Sequence, residues 1–116
     1  SGIDDYQKEA LIRATADDAI VTRSVTGKPC RVLKSKWTEE FDSSGLQALP
    51  MPYQGLISMP ILEGGRAAKR PDIYPGIAGQ SVGMLHKIRP AREVLEGMVA
   101  EAIRILSEGL SQRVSV

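Results

Sequence analysis

The chain has 116 residues, 42% hydrophobic, 25% charged and 4% aromatic, with 15 basic side chains against 14 acidic ones. That composition is ordinary for a globular domain, and the length suits one domain with a core while excluding a large multidomain enzyme. A net charge of +1 sets up no global field for nucleic acid, an anionic membrane or a polyanionic substrate.

Cys30 is the single cysteine, so no intrachain disulfide can form and a reducing compartment, the cytoplasm by default, is expected. No apolar run approaches the roughly 20 residues that cross a bilayer, which predicts a soluble chain. The opening Ser-Gly-Ile-Asp-Asp carries no targeting pattern and no initiator Met, and reads as a cut start.

Residues 4–16 set Ala10, Leu11, Ile12 and Ala14 among Gln7, Lys8, Glu9 and Arg13, with Asp4 or Asp5 as N-cap, and predict a short helix. After the break at Asp17 and Asp18, residues 19–25 mix β-branched and polar side chains and predict an extended segment. Thr26-Gly27-Lys28-Pro29 closes it as a turn. Cys30, Val32, Leu33, Trp37 and Phe41 then recur at near-helical spacing, with Arg31, Lys34 and Lys36 in the gaps, and predict a second helix.

Residues 42–71 hold most of the prolines, which excludes long helices and leaves a turn or two each at 54–58 and 65–69. A loop of that length in a compact domain points to a lid or cap. Pro90 suits a first helical turn. Behind it Ala91, Val94, Leu95, Met98, Val99, Ala102, Ile103, Leu106 and Leu110 recur at three and four residues. Arg92, Glu93, Glu96, Glu101, Arg104 and Glu108 take the other side. This predicts a helix of roughly 30 Å whose apolar stripe needs a partner, followed by a frayed tail over 111–116.

Arg23, Lys28, Arg31, Lys34 and Lys36 form a basic run that either contacts phosphates or is a solvated face; the scarcity of stacking aromatics favours the face. His86 offers a base near neutral pH, but Lys87 and Arg89 beside it favour a surface position. Cys30 reads as a small buried hydrophobe rather than a nucleophile. One Cys and one His cannot assemble the usual zinc sites, so no metal is expected. Gly76-Ile77-Ala78-Gly79-Gln80-Ser81-Val82-Gly83-Met84 sets three glycines around an amide and a hydroxyl. Gln80 and Ser81 can bond a flat or anionic ligand that the backbone approaches closely, although a glycine-rich helix contact explains the run as well. It is neither a dinucleotide fingerprint nor a P-loop.

Three stretches taken together resemble a known family. They are Asp18-Ala19-Ile20-Val21-Thr22-Arg23-Ser24-Val25-Thr26-Gly27-Lys28-Pro29-Cys30-Arg31, Ala78-Gly79-Gln80-Ser81-Val82-Gly83, and the amphipathic residues 91–106. Their order and spacing resemble the C-terminal third of the nitronate monooxygenase family, the 2-nitropropane dioxygenase-like flavoproteins, whose close relatives include flavin-dependent enoyl reductases. The resemblance implies an α/β fold in which residues 1–116 are a mostly helical C-terminal cap segment of a TIM-barrel (β/α)8 flavoprotein. Such a barrel needs roughly 250 residues and is largely absent here.

It also implies FMN as cofactor, chemistry at the flavin N5, and oxidation of alkyl nitronates with O2 to carbonyl compounds and nitrite. An enoyl thioester reductase is the rival within the flavin class. Outside it, the rival is a non-catalytic helical module that binds through the C-terminal helix and the basic residues 31–36. The family's phosphate loops and catalytic histidine precede the matched part, so His86 does not take that role. By the same resemblance Gly79, Gln80 and Ser81 approach the flavin, with Ser81 at the N5 edge. Met51, Tyr53 and Met59 line or gate the substrate pocket, and Arg31 ties the cap to the barrel. The implied partners are a small-molecule substrate and the remainder of the barrel, with a homo-oligomer allowed and no nucleic acid or membrane.

Overall fold

A computed structural model describes residues 2–74 and 76–109. The chain divides into two units, Gly2–Lys87 and a segment from Ile88 onward, each described by itself.

In the first unit, α1 (Asp5–Arg13) has Asp4 at its N-cap, and Gln7 Oε1 accepts the Asp4 N–H at 3.4 Å. The helix stops short of residue 16 because Thr15 opens a 3-10 turn over Ala16–Asp18. The Asp18 carboxylate accepts the Thr15 N–H at 2.7 Å and its hydroxyl at 2.8 Å, and these bonds hold its pKa below the ordinary value.

β1 (Ala19–Thr22) and β2 (Cys30–Leu33) pair antiparallel, Ala19 opposite Leu33 and Thr22 opposite Cys30. Residues 30–33 are therefore a strand and not the start of a helix. The near-helical spacing mixes two elements: Val32 and Leu33 are buried from β2, whereas Trp37 and Phe41 belong to α2 (Lys36–Ser43). Pairing across the hairpin supplies partners for the backbone of residues 30–33, and β-branched Val32 suits the pleat. Ser35 begins α2, its hydroxyl accepting the Thr38 N–H at 3.3 Å while Thr38 Oγ1 accepts the Ser35 N–H at 2.9 Å.

The Pro-rich stretch departs furthest from expectation. α3 (Tyr53–Ala67) runs 15 residues straight through Pro60, in place of separate turns at 54–58 and 65–69. Pro60 lies on the exposed side, and Leu56, whose carbonyl loses its N–H partner to the ring, is 70% exposed. The buried stripe is Gln54, Ser58, Leu62 and Gly65. Its spacing is helical but half of it is polar, so an apolar pattern does not register it. Gln54 Nε2 donates to the Ser24 carbonyl at 2.8 Å, Gln54 Oε1 accepts the Leu49 N–H at 3.0 Å, and the Ser58 hydroxyl donates to the Val25 carbonyl.

The two core clusters occupy opposite faces of the hairpin, as strand alternation requires. Ala19 and Leu33 pack with Val82 on one face, and Val32 with Val25 and Leu62 on the other, where Ile20 and Cys30 join them. Cys30 thus fills space in a core, with its thiol 3.6 Å from the Thr22 carbonyl.

Asp72 joins the end of the α3 region to α2. Its carboxylate accepts two bonds from Arg70, at 2.8 and 2.6 Å, and lies 3.4 Å from Lys36 Nζ, while its carbonyl accepts the Lys36 N–H at 2.8 Å. The Arg70 guanidinium holds this carboxyl well below its ordinary 3.8. A depressed folded-state pKa contributes stability that is present above the unfolded value and lost as pH falls below it. Stability is therefore expected to drop below about pH 4, and Asp72→Asn to flatten that drop in unfolding midpoints followed down to about pH 2.

In the second unit, α4 (Ala91–Arg104) begins behind Pro90 and passes into a π-type turn, Ile105–Gly109, so the regular α-helix is shorter than the apolar spacing suggests. It buries none of its own residues. Leu110 and the tail 111–116 lie outside the described residues. Among the described residues no helix is long and apolar enough to cross a membrane.

Candidate functional site

The glycine-rich run folds as an edge followed by a turn. The Gly76 carbonyl accepts the Leu33 N–H at 3.2 Å and Ile77 bridges Val32, which brings the run alongside β2. Gly79 then leads into a 3-10 turn over Gln80–Met84. Val82, 2% exposed, anchors the turn in the cluster with Ala19 and Leu33. Gly79, Gln80 and Ser81 remain exposed, and the side chains of Gln80 and Ser81 have no hydrogen-bond partner among the described residues. A Cβ at Gly79 would meet only Ser81 Oγ, at 3.8 Å, so the approach to this turn is open. The result is a bare backbone edge flanked by one amide and one hydroxyl, which suits a planar ligand with donors and acceptors on its rim.

Met51 and Tyr53 stand elsewhere. Met51 is beside Gly27 at the turn end of the hairpin, whereas residues 79–81 stand over the opposite end, at Ala19 and Leu33. Both are exposed, and the structure does not bring them to the glycine turn. Met59 lines, with Trp37, Leu62, Tyr74 and Ile77, an apolar cavity of about 30 Å³. Trp37 Nε1 is buried there without a hydrogen-bond partner among the described residues.

The basic run is largely consumed internally. Arg23 donates to the Gly27 carbonyl at 3.3 Å, Lys34 pairs with Glu39 at 3.1 Å and Lys36 with Asp72. Arg31 donates to the Ala19 carbonyl in its own hairpin, so the described structure gives it a local partner. The pairing of Lys34 with Glu39 links the chain after β2 to α2, that of Lys36 with Asp72 links α2 to the segment after α3, and the strand over Cys30–Leu33 leaves no phosphate-tracking helix over 31–36. His86 is exposed just beyond the glycine turn. Sequence reasoning missed Gln54 and Ser58; the signal available was two polar side chains one helical turn apart between proline positions.

Several apolar residues of α3 and of α4 are left exposed. The nitronate monooxygenase family matches residues 1–101, and the chain belongs to that family. A Mycobacterium tuberculosis protein designated monooxygenase Rv1533 is 38% identical over 115 residues, covering 91% of this chain and 31% of its own length. A Bacillus subtilis protein designated a probable nitronate monooxygenase is 26% identical over 98 residues, covering 84% of this chain and 28% of its own. Among solved structures, FabK from Thermotoga maritima shares the fold with a TM-score of 0.71 at 23% identity, over 98% of this chain and 36% of that one. The chain thus spans about a third of the length of the curated relatives it matches.

Proposed function

We propose that residues 1–116 are the C-terminal cap segment of an FMN-dependent oxidoreductase. The enzyme oxidises alkyl nitronates with O2 to carbonyl compounds and nitrite, and its TIM barrel comes from sequence outside this chain. Family membership supports the oxidoreductase part of this reading. The observation that carries the site is the Gly79-Gln80-Ser81 turn, with two side chains unpartnered among the described residues on an anchored backbone. These residues fit the rim of an isoalloxazine: Gly79 admits the ring, and the Ser81 hydroxyl can donate to or accept from its N5 edge. When bound, FMN supplies the electron acceptor for the nitronate and the place where O2 reacts.

The chain's own residues orient and enclose. Gln80 and Ser81 fix the ring edge, and Met51 and Tyr53, at the far end of the hairpin, line the outer approach of the small-molecule substrate. The exposed Leu56, Ile57 and Ile61 of α3 and Leu95, Met98 and Ile103 of α4 offer apolar surface for the barrel to cover, which keeps water from the reacting centre. The free thiol of Cys30 supports a cytoplasmic location.

The protein that carries this segment together with its barrel is expected to show flavin absorbance bands and to release nitrite from an alkyl nitronate. Ser81→Ala is expected to lower kcat by about three- to tenfold with FMN retained, the loss of one hydrogen bond at the ring edge. Rapid reduction by NAD(P)H in stopped flow without nitrite release would overturn this reading in favour of the enoyl thioester reductase. Absence of both flavin bands and FMN uptake would favour the interaction module.

A further inference from the structure

We infer that Gly83 and the Thr15 and Asp18 pair are positioning residues for the flavin-facing turn, fixing where Ser81 stands and so tuning the bound flavin; this rests on the reading of residues 79–81 given above. Side chains that stand in solvent bond a planar ligand in a defined geometry only when the backbone beneath them is fixed. The Gln80–Met84 turn is a 3-10 helix closed at its ends by the Val82 N–H on the Gly79 carbonyl at 3.0 Å and the Leu85 N–H on the Val82 carbonyl at 2.9 Å. Such local bonds set its shape, whereas its position comes from what it rests on.

That support is the Ala16–Asp18 turn. A Cβ on Gly83 would stand 3.0 Å from the Ala16 nitrogen and 3.5 Å from Ala16 Cβ, so the two turns meet backbone to backbone. The lower turn is itself held twice. The Asp18 carboxylate grips the N–H and hydroxyl of Thr15 at 2.7 and 2.8 Å, and the Asp18 carbonyl accepts the Lys34 N–H at 2.7 Å, which ties the turn to the chain just beyond β2. Val82 closes the stack from the side by filling the space against Ala19 and Leu33. A methyl group at position 83 has to separate the turns by a few tenths of an ångström, and Ser81 is two residues away from it. These residues act through Ser81.

The test uses the FMN-loaded full-length protein. Gly83→Ala is expected to shift the flavin absorbance maximum and to change kcat by about threefold or more with KM for an alkyl nitronate unchanged. Thr15→Val, which removes one of the two bonds to Asp18, is expected to shift the spectrum in the same sense by less, and serves if Gly83→Ala does not fold. Leu62→Ala is the control: it sits in the cluster on the other face of the hairpin and is expected to lower stability while leaving the flavin spectrum alone. The inference is overturned if Ser81→Ala moves the spectrum but Gly83→Ala and Thr15→Val do not, or if Leu62→Ala moves it as much as they do. A Ser81→Ala protein with an unaltered spectrum would instead show that residues 79–81 do not face the flavin, and the inference would fall with that reading.

Discussion

Gly27→Val is expected to lower stability by about 2–5 kcal/mol, combining the penalty of a left-handed backbone with that of overpacking. Gly27 has φ 84°, and a Cβ there would stand 2.3 Å from the Leu49 carbonyl oxygen and 2.9 Å from the Met51 nitrogen. Neither neighbour can step aside. Gln54 holds the Leu49 N–H, and its other end is bonded to Ser24, so the loop and the hairpin turn are clamped to one side chain. Gly45 provides the comparison, with φ 70° and nothing within 4 Å of its Cβ position. Gly45→Ala keeps only the backbone penalty and should cost about 1 kcal/mol. Urea midpoints of the two variants separate the effects, and equal losses would show that the approach of residues 49–51 contributes nothing.

Leu62→Ala is expected to cost about 2–5 kcal/mol, in the upper part of that range. Leu62 is 2% exposed between Val25 and Val32, and it already borders the cavity of about 30 Å³. Collapse onto the enlarged void would require α3 to move toward the hairpin. The Gln54 and Ser58 bonds to the Ser24 and Val25 carbonyls fix that spacing, so the void persists. Denaturant unfolding measures the loss, and a value below about 1 kcal/mol would mean that α3 does settle into the gap.

The elements legible in the sequence are those whose signal is local. α1 follows from Asp4 and a short apolar pattern, β1 from its β-branched residues, the Gly27 turn from a residue that tolerates positive φ, and the start of α4 from Pro90. β2 was hidden because a strand of four residues has too few alternations to outweigh the spacing shared with Trp37 and Phe41 across an element boundary. α3 was hidden twice over. Pro60 argues against a helix unless its exposed position is known, and the buried face carries Gln54 and Ser58, whose burial depends on carbonyls about thirty residues away. The candidate site divides in the same way. Glycines around Gln80 and Ser81 stand out in the sequence, but their exposure, and the separation of Met51 and Tyr53 from them, depend on the hairpin between.

That hairpin is only two strands thick, and each of its faces carries a different core. Parting β1 from β2 would strip Val82 of Ala19 and Leu33 in the same event that strips Leu62 of Val32. Parting the strands costs both clusters at once, so the hairpin couples the glycine turn on one face to α3 on the other. The same sharing limits divergence: a change in strand register that improves one face turns every side chain of the other outward, so both halves must change together or not at all.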